Sequence, residues 1–283
     1  MKIGIVGGSP LAALVARQLA QSHSVLVHTG NATPAGTTAA ASLRDLAVSA
    51  DVVFMAAAND AQAANILFGA EGLSSGLSAG KTVIDQTPGD PDAARRFASE
   101  LQQRGVGWID APLHCELLDA IADVGAILCG GSAQAIADMR PLLETICPKV
   151  VHFGEAGTGR AARLVVGAIA VCNRLVTYEA AAMGRANGLS VADMATVLNR
   201  CSGSSSATAR VLPSLDSGDP TADAPLPQVV EELRLATLLG TRVGAPMLVA
   251  NLAHGLLMPA LRDGDAMATL DATVDRFMPG LRR

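Results

Sequence analysis

Gly7, Gly8, Ser9, Pro10 and Leu11 are the first residues with a chemical use, in the run Lys2-Ile3-Gly4-Ile5-Val6-Gly7-Gly8-Ser9-Pro10-Leu11-Ala12. An apolar β-run enters a small-residue turn, and an alanine-rich helical pattern over 13–21 leaves it. Free backbone N–H groups and the helix dipole converge at such a turn and bind an anion. In dinucleotide-binding folds that anion is the pyrophosphate. The G-x-G-x-x-G spacing keeps only Gly7, with Ser9 and Ala12 at the other two glycine positions. Pro10 offers no N–H at the helix mouth, whereas Ser9 has a hydroxyl to give a phosphate and Ala12 still allows close helix packing. At the end of the second β-run an acidic residue suits the ribose of NAD and an arginine that of NADP. His28-Thr29-Gly30-Asn31 carries neither. Thr29 and Asn31 can hydrogen-bond a 2′-phosphate with help from His28, and with no carboxylate to repel it the lean is to NADP, with NAD as the alternative.

These groups need elements to hold them. Apolar β-runs at 2–6, 24–28, 52–56, 82–85, 107–110 and 126–130 alternate with helical patterns at 61–68, 91–104 and 133–146. Such alternation predicts a parallel, doubly wound sheet. The segment 29–49, rich in Ala, Thr and Gly, is too short for a full third strand–helix unit. From about Gly159 the strand pattern stops, and apolar helical patterns cover 160–187, 191–199, 227–243, 245–263 and 265–277. Asn187-Gly188 is a C-cap signal and Ser190 to Asp193 has capping-box spacing. The expected organisation is a Rossmann-like α/β domain over 1–158, a long interdomain helix over 159–187 and an all-α domain over 188–283. That helix would be about 40 Å long at 1.5 Å per residue.

Composition excludes several classes. With 283 residues, half of them hydrophobic, the chain can bury two cores. A net charge of −5, no basic run and few aromatic residues argue against a nucleic-acid partner. Cys115, Cys129, Cys147, Cys172 and Cys201 form no CxxC and read as reduced residues, with no disulfide frame and no metal site. Arg163 and Arg174 interrupt the apolar stretch 161–176, so no membrane span is expected. Met1-Lys2 leaves no room for a secretory segment, and a cytoplasmic location is the expectation.

Several further stretches are colinear with one family. They are Ala50-Asp51-Val52-Val53-Phe54-Met55, Gly76-Leu77-Ser78-Ala79-Gly80-Lys81-Thr82-Val83-Ile84-Asp85, Trp108-Ile109-Asp110-Ala111-Pro112-Leu113, and His152-Phe153-Gly154-Glu155-Ala156-Gly157-Thr158-Gly159-Arg160-Ala161-Ala162, followed by Asn173 and Glu179-Ala180. In this order they resemble the β-hydroxyacid dehydrogenases, which include 3-hydroxyisobutyrate and tartronate semialdehyde dehydrogenases and, more distantly, imine reductases. The resemblance covers essentially the whole chain. It implies a Rossmann-like domain, a long connecting helix, a helical domain that commonly builds a homodimer, an active site between the domains, and a small-molecule substrate.

Carried over residue by residue, the resemblance also shows where this chain departs. The family's substrate-binding Ser-Gly-Gly turn falls on His114, Cys115 and Glu116, and the lost glycines with an added carboxylate argue against a 3-hydroxy acid substrate. The family's catalytic lysine falls on Arg163, a guanidinium that stays protonated and is a poor general acid or base. Arg163 can stabilise an alkoxide or clamp a carboxylate; equally, it can pair with a carboxylate at a helix edge. The family's asparagine pair is replaced by Val166 and Gly167, and its second lysine by Glu231, so Arg163 and Glu231 form a candidate exchanged pair. His114 is the candidate proton donor, the alternative being a packing residue; His152 reads as structural. Asn173 is a further substrate contact, and Ala57, Ala58, Asn59, Thr87 and Pro88 line the nicotinamide half. Together these imply hydride transfer between NAD(P) and a small C=O or C=N group. The alternatives are an imine-reductase-like enzyme, a repurposed nucleotide-binding dimer, or non-redox chemistry in the same cleft.

Overall fold

The computed structural model describes residues 1–30, 32–115, 125–219, 221, 224–263, 268–278 and 281. The chain divides into two compact units, Met1–Arg163 and Leu164–Arg283.

The first unit is built on strands β1 (Lys2–Val6), β2 (Ser24–His28), β3 (Thr38–Ala39), β4 (Val52–Met55), β5 (Thr82–Asp85), β6 (Gly107–Asp110), β7 (Leu113–His114), β8 (Ala126–Gly130) and β9 (Val150–Gly154). They form one sheet in the order β3-β2-β1-β4-β5-β6-β8-β7, with β9 beside β8. Helices α1 (Pro10–Leu19), α2 (Leu43–Ser49), α3 (Asp60–Phe68), α4 (Pro91–Gln102) and α5 (Ala133–Ile146) connect them. The apolar runs of β1, β4 and β5 are buried because helices cover both faces of the sheet. Ile3, Ile5, Phe54 and Ile84 pack with α1 and α5 on one face; Val6, Val53, Met55 and Val83 pack with α2, α3 and α4 on the other.

Two features differ from the sequence expectation. The 29–49 segment does hold a minimal strand–helix unit, β3 and α2, because only two residues are needed to pair with Leu26 and Val27. The sheet is also mixed at one side, where β8 runs antiparallel to β6 and β7.

Helix α6 (Thr158–Ala186) runs across the boundary between the units. The second unit continues with α7 (Val191–Leu198), α8 (Ser206–Ser217), α9 (Leu226–Arg242), α10 (Leu248–Asp263) and α11 (Leu270–Phe277). Ser190 caps α7 by accepting from the Asp193 N–H, and Gly188 takes the left-handed conformation after α6 at φ 79°. Helix α8 has no counterpart in the sequence reading. Its start is a serine cluster and Pro213 lies inside it, yet Ser205 and Thr208 close a reciprocal capping box that starts it.

Candidate active site

The turn after β1 is shaped by contact. Gly7 has φ 138°, and a Cβ there would collide with the Ala56 carbonyl of β4's extension, so only glycine brings the backbone this close. Ser9 is the N-cap of α1, and its Oγ accepts from the Ala12 N–H at 3.1 Å. Pro10 occupies the first helical position without a donor. The Leu11 N–H, which the helix itself cannot use, and the hydrogen of the Ser9 hydroxyl are donors placed at this helix mouth. A tight glycine turn at a helix mouth is the cradle a pyrophosphate needs, so these residues fit a dinucleotide with a reduced donor set. At the end of β2, Thr29 is partly buried and Gly30 has φ 67° with open space around it. Asn31 lies outside the described residues.

The loops after β4 and β5 are tied together. The Ala57 N–H donates to Thr87 Oγ1 at 2.9 Å, and the Thr87 N–H donates to Asp85 Oδ1 at 3.0 Å. Thr87 is fully buried, so its hydroxyl braces the neighbouring loop. Asn59 is the N-cap of α3 and accepts from the Gln62 N–H at 2.9 Å. Between Asp85 and Thr87, Gln86 is 5% exposed and its Nε2 has no hydrogen-bond partner among the described residues.

Beneath these loops lies a charge cluster that sequence spacing does not reveal. Arg160, in the first turn of α6, is fully buried and donates to Asp60 and Asp85 carboxylates at 2.6 Å each. Burial alone would weaken its hold on the proton, but the charges of Asp85 and Asp60 reverse this and raise its pKa. Asp110, at the end of β6, accepts from the backbone N–H groups of Gly157 and Arg160 at 2.7 and 3.0 Å and so caps α6. Its carboxyl is pushed up to about 6 by burial, against the pull of those N–H groups and of the Arg160 charge. Asp85 and Asp110 end adjacent strands, a placement set by the sheet order and not by sequence spacing.

His114 and Cys115 follow Pro112 at half-buried positions, with His114 on β7. Glu116 lies outside the described residues. Arg163, half-buried, is the last residue of the first unit and lies on α6 one turn beyond Arg160. His152 Nε2 is within 3.0 and 2.8 Å of the Gly131 and Gly154 carbonyls, a bracing position.

In the second unit, Asn173 is half-buried on α6 and its carbonyl accepts from Thr177. Glu231 is exposed on α9 and makes a bidentate pair with Arg234 at 2.7 Å. The buried polar centre of this unit is Asp271, which accepts from Arg174 at 2.6 Å, from the Thr221 N–H at 2.9 Å, and from the hydroxyls of Tyr178 and Thr221.

Comparison with known proteins agrees with this layout. Residues 3–154 match the NAD binding domain of 6-phosphogluconate dehydrogenase. Residues 157–276 match the NAD-binding domain of NADP-dependent 3-hydroxyisobutyrate dehydrogenase. The chain is 30% identical over 169 residues to the NAD-dependent L-serine dehydrogenase of Pseudomonas aeruginosa, a match covering 60% of this chain and 57% of that enzyme. It is 27% identical over 227 residues to the mitochondrial 3-hydroxyisobutyrate dehydrogenase of Mus musculus, covering 78% of this chain and 68% of that one. The solved structure of 3-hydroxyisobutyrate dehydrogenase from Mycobacterium tuberculosis with L-serine superimposes with a TM-score of 0.85 at 20% identity, over 98% of both chains.

Proposed function

Since this chain belongs to the β-hydroxyacid dehydrogenase superfamily, we propose that it is an NAD(P)-dependent oxidoreductase. It would transfer hydride to or from a small substrate with a polarised C=O or C=N group, with Arg163 where the family carries lysine. The reading is carried by the glycine turn at the carboxyl edge of β1, where Gly7 packs against the Ala56 carbonyl and leads into the mouth of α1.

The bound nicotinamide supplies the hydride donor or acceptor. Leu11 and Ser9 hold the pyrophosphate from the mouth of α1, and Ala57, Asn59 and Thr87 shape the loops on the nicotinamide side. With no carboxylate at His28, Thr29 or Gly30, the end of β2 accepts a 2′-phosphate without repulsion, which favours NADP. Arg163 keeps a fixed positive charge that stabilises a developing oxyanion or grips a carboxylate. It leaves proton transfer to another group, and His114 is the histidine assigned to it.

A homodimer is part of the same reading. Val165, Ile169, Val176 and Met183 are each more than half exposed on α6, and their spacing of four, seven and seven places them on one stripe of the helix.

Titration with NADPH and NADH, followed by fluorescence, and then a panel of aldehydes, ketones and imines, tests the proposal. Binding with turnover supports it. No binding of either nucleotide ends it, and binding without turnover reduces the protein to a nucleotide-binding one. Arg163→Lys is expected to bind nucleotide as the wild type does and to change turnover and substrate preference across that panel. Unchanged substrate preference in that variant would remove Arg163 from the chemistry.

A further inference from the structure

Arg160 is among the largest fully buried side chains of the described chain. An uncompensated guanidinium there would be strongly destabilising, so what compensates it also fixes it in place. Nη1 donates to Asp60 Oδ1 at 2.6 Å and to the Asp90 carbonyl at 3.1 Å, and Nη2 donates to Asp85 Oδ2 at 2.6 Å. The Arg160 backbone N–H donates to Asp110. These partners stand after or at the ends of β4, β5 and β6, so one residue clasps three adjacent strand ends, the first two through its side chain and the third through its backbone N–H. Two contacts tighten the clasp. The Asp90 N–H donates to Asp60 Oδ2 at 2.9 Å, and a Cβ on Gly89 would lie 2.7 Å from Arg160 Nη1 and against Asp60.

The clasp lies under one part of the nucleotide site. In an open sheet of this order the ligand crosses the carboxyl ends of the strands, with its adenosine end at β2. Its other half therefore falls over β4, β5 and β6. Gln86 stands there, almost wholly buried, with a side-chain donor left unpartnered among the described residues. A buried donor without a partner is costly, and a ligand oxygen that accepts from it recovers that cost on binding.

We propose that Arg160 is a positioning residue for the nicotinamide half of the nucleotide: it holds the loops after β4 and β5 as one wall, and that wall presents the Gln86 amide to the ligand's carboxamide. The proposal rests on the oxidoreductase reading above. Its chemistry is specific: a primary amide on the protein meets a primary amide on the ligand, which the adenosine half lacks.

Calorimetric titration with NADPH and NADH, and with ADP-ribose and its 2′-phosphate, which lack the nicotinamide, separates the two halves. Gln86→Leu and Asp60→Asn are expected to weaken dinucleotide binding about tenfold, while leaving the fragments within about twofold of wild type. Arg160→Gln is expected to do the same, and Gln86→Leu, which removes a buried orphan, to raise the melting temperature while it lowers affinity. A merely structural role moves both quantities down together. Equal weakening of dinucleotide and fragment, or no weakening of either by Gln86→Leu, overturns the proposal and leaves the oxidoreductase reading standing. Wild-type protein that binds no nucleotide and no fragment overturns both.

Discussion

Among single residues, Asp110 carries the clearest pH dependence. Its carboxyl is raised from 3.8 to about 6 in the folded chain, chiefly by burial. The native state therefore binds more protons than the unfolded chain between these values. Its contribution to stability is fully present below about pH 3.8, falls as pH rises through about 6, and is level above that. A rise of that size is worth roughly 3 kcal/mol between the two ends of the window. Chemical denaturation of wild type and Asp110→Asn at several pH values checks this. The difference in unfolding free energy between them is expected to vary between about pH 4 and 6 and to be constant above about pH 7; a constant difference throughout removes Asp110 as its source. Asp110→Asn also loses an acceptor, since only one amide oxygen remains for the Gly157 and Arg160 N–H groups. That loss of about 1–3 kcal/mol opposes the roughly 3 kcal/mol relieved by removing the buried charge, so at neutral pH Asp110→Asn is expected to lie within about 2 kcal/mol of wild type.

At the scale of elements, the mouth of α1 decides how strongly an anion is held. Ser9 spends its oxygen on the Ala12 N–H, and Pro10 withholds a donor. Pro10→Ala restores one N–H at a position where proline gives little beyond a preset φ. It is expected to tighten NADPH or NADH binding about threefold to tenfold. Ser9→Ala is expected to lose about 1 kcal/mol of stability through the cap and to weaken nucleotide binding as well. Equilibrium titration of the two variants checks both directions, and a Pro10→Ala affinity equal to wild type would show that the pyrophosphate takes no donor from that position. The same elements show what was legible in the sequence. β1, β2, β4, β5, β6 and β8 follow from their apolar runs, α5 from its helical pattern and α7 from its capping-box spacing at Ser190. β3 and β7 have two residues each, too few for any periodicity. β9 carries His152 and Phe153 side by side, both exposed, so its pattern is broken. The Arg160 clasp was out of reach because Asp60 lies 100 positions and Asp85 75 positions away. Only the sheet order brings them together.

For the whole molecule, α6 poses a solvation problem that its own units leave open. It is long and apolar enough to cross a membrane by length and composition alone. Two of its four arginines are committed to carboxylates: Arg160 to Asp60 and Asp85 in the first unit, and Arg174 to Asp271 in the second. What remains is the stripe of Val165, Ile169, Val176 and Met183, at 56, 58, 56 and 66% exposure. On α10, Leu248, Val249 and Leu252 are 75, 68 and 65% exposed. Contiguous apolar surface of this kind marks an interaction site, and burying each such side chain yields about 1.5–3 kcal/mol. A second copy of the chain is the occupant proposed above, because a symmetric pair covers the same stripe on both partners at once. Sedimentation velocity at micromolar concentration is expected to give a dimer of the 28.7 kDa chain. Ile169→Glu, which sets like charges against one another across such a pair, is expected to shift it to monomer with an unchanged circular dichroism spectrum. A wild-type monomer at that concentration, or an Ile169→Glu dimer as tight as wild type, would place the interface elsewhere and leave the α6 stripe unexplained by self-association.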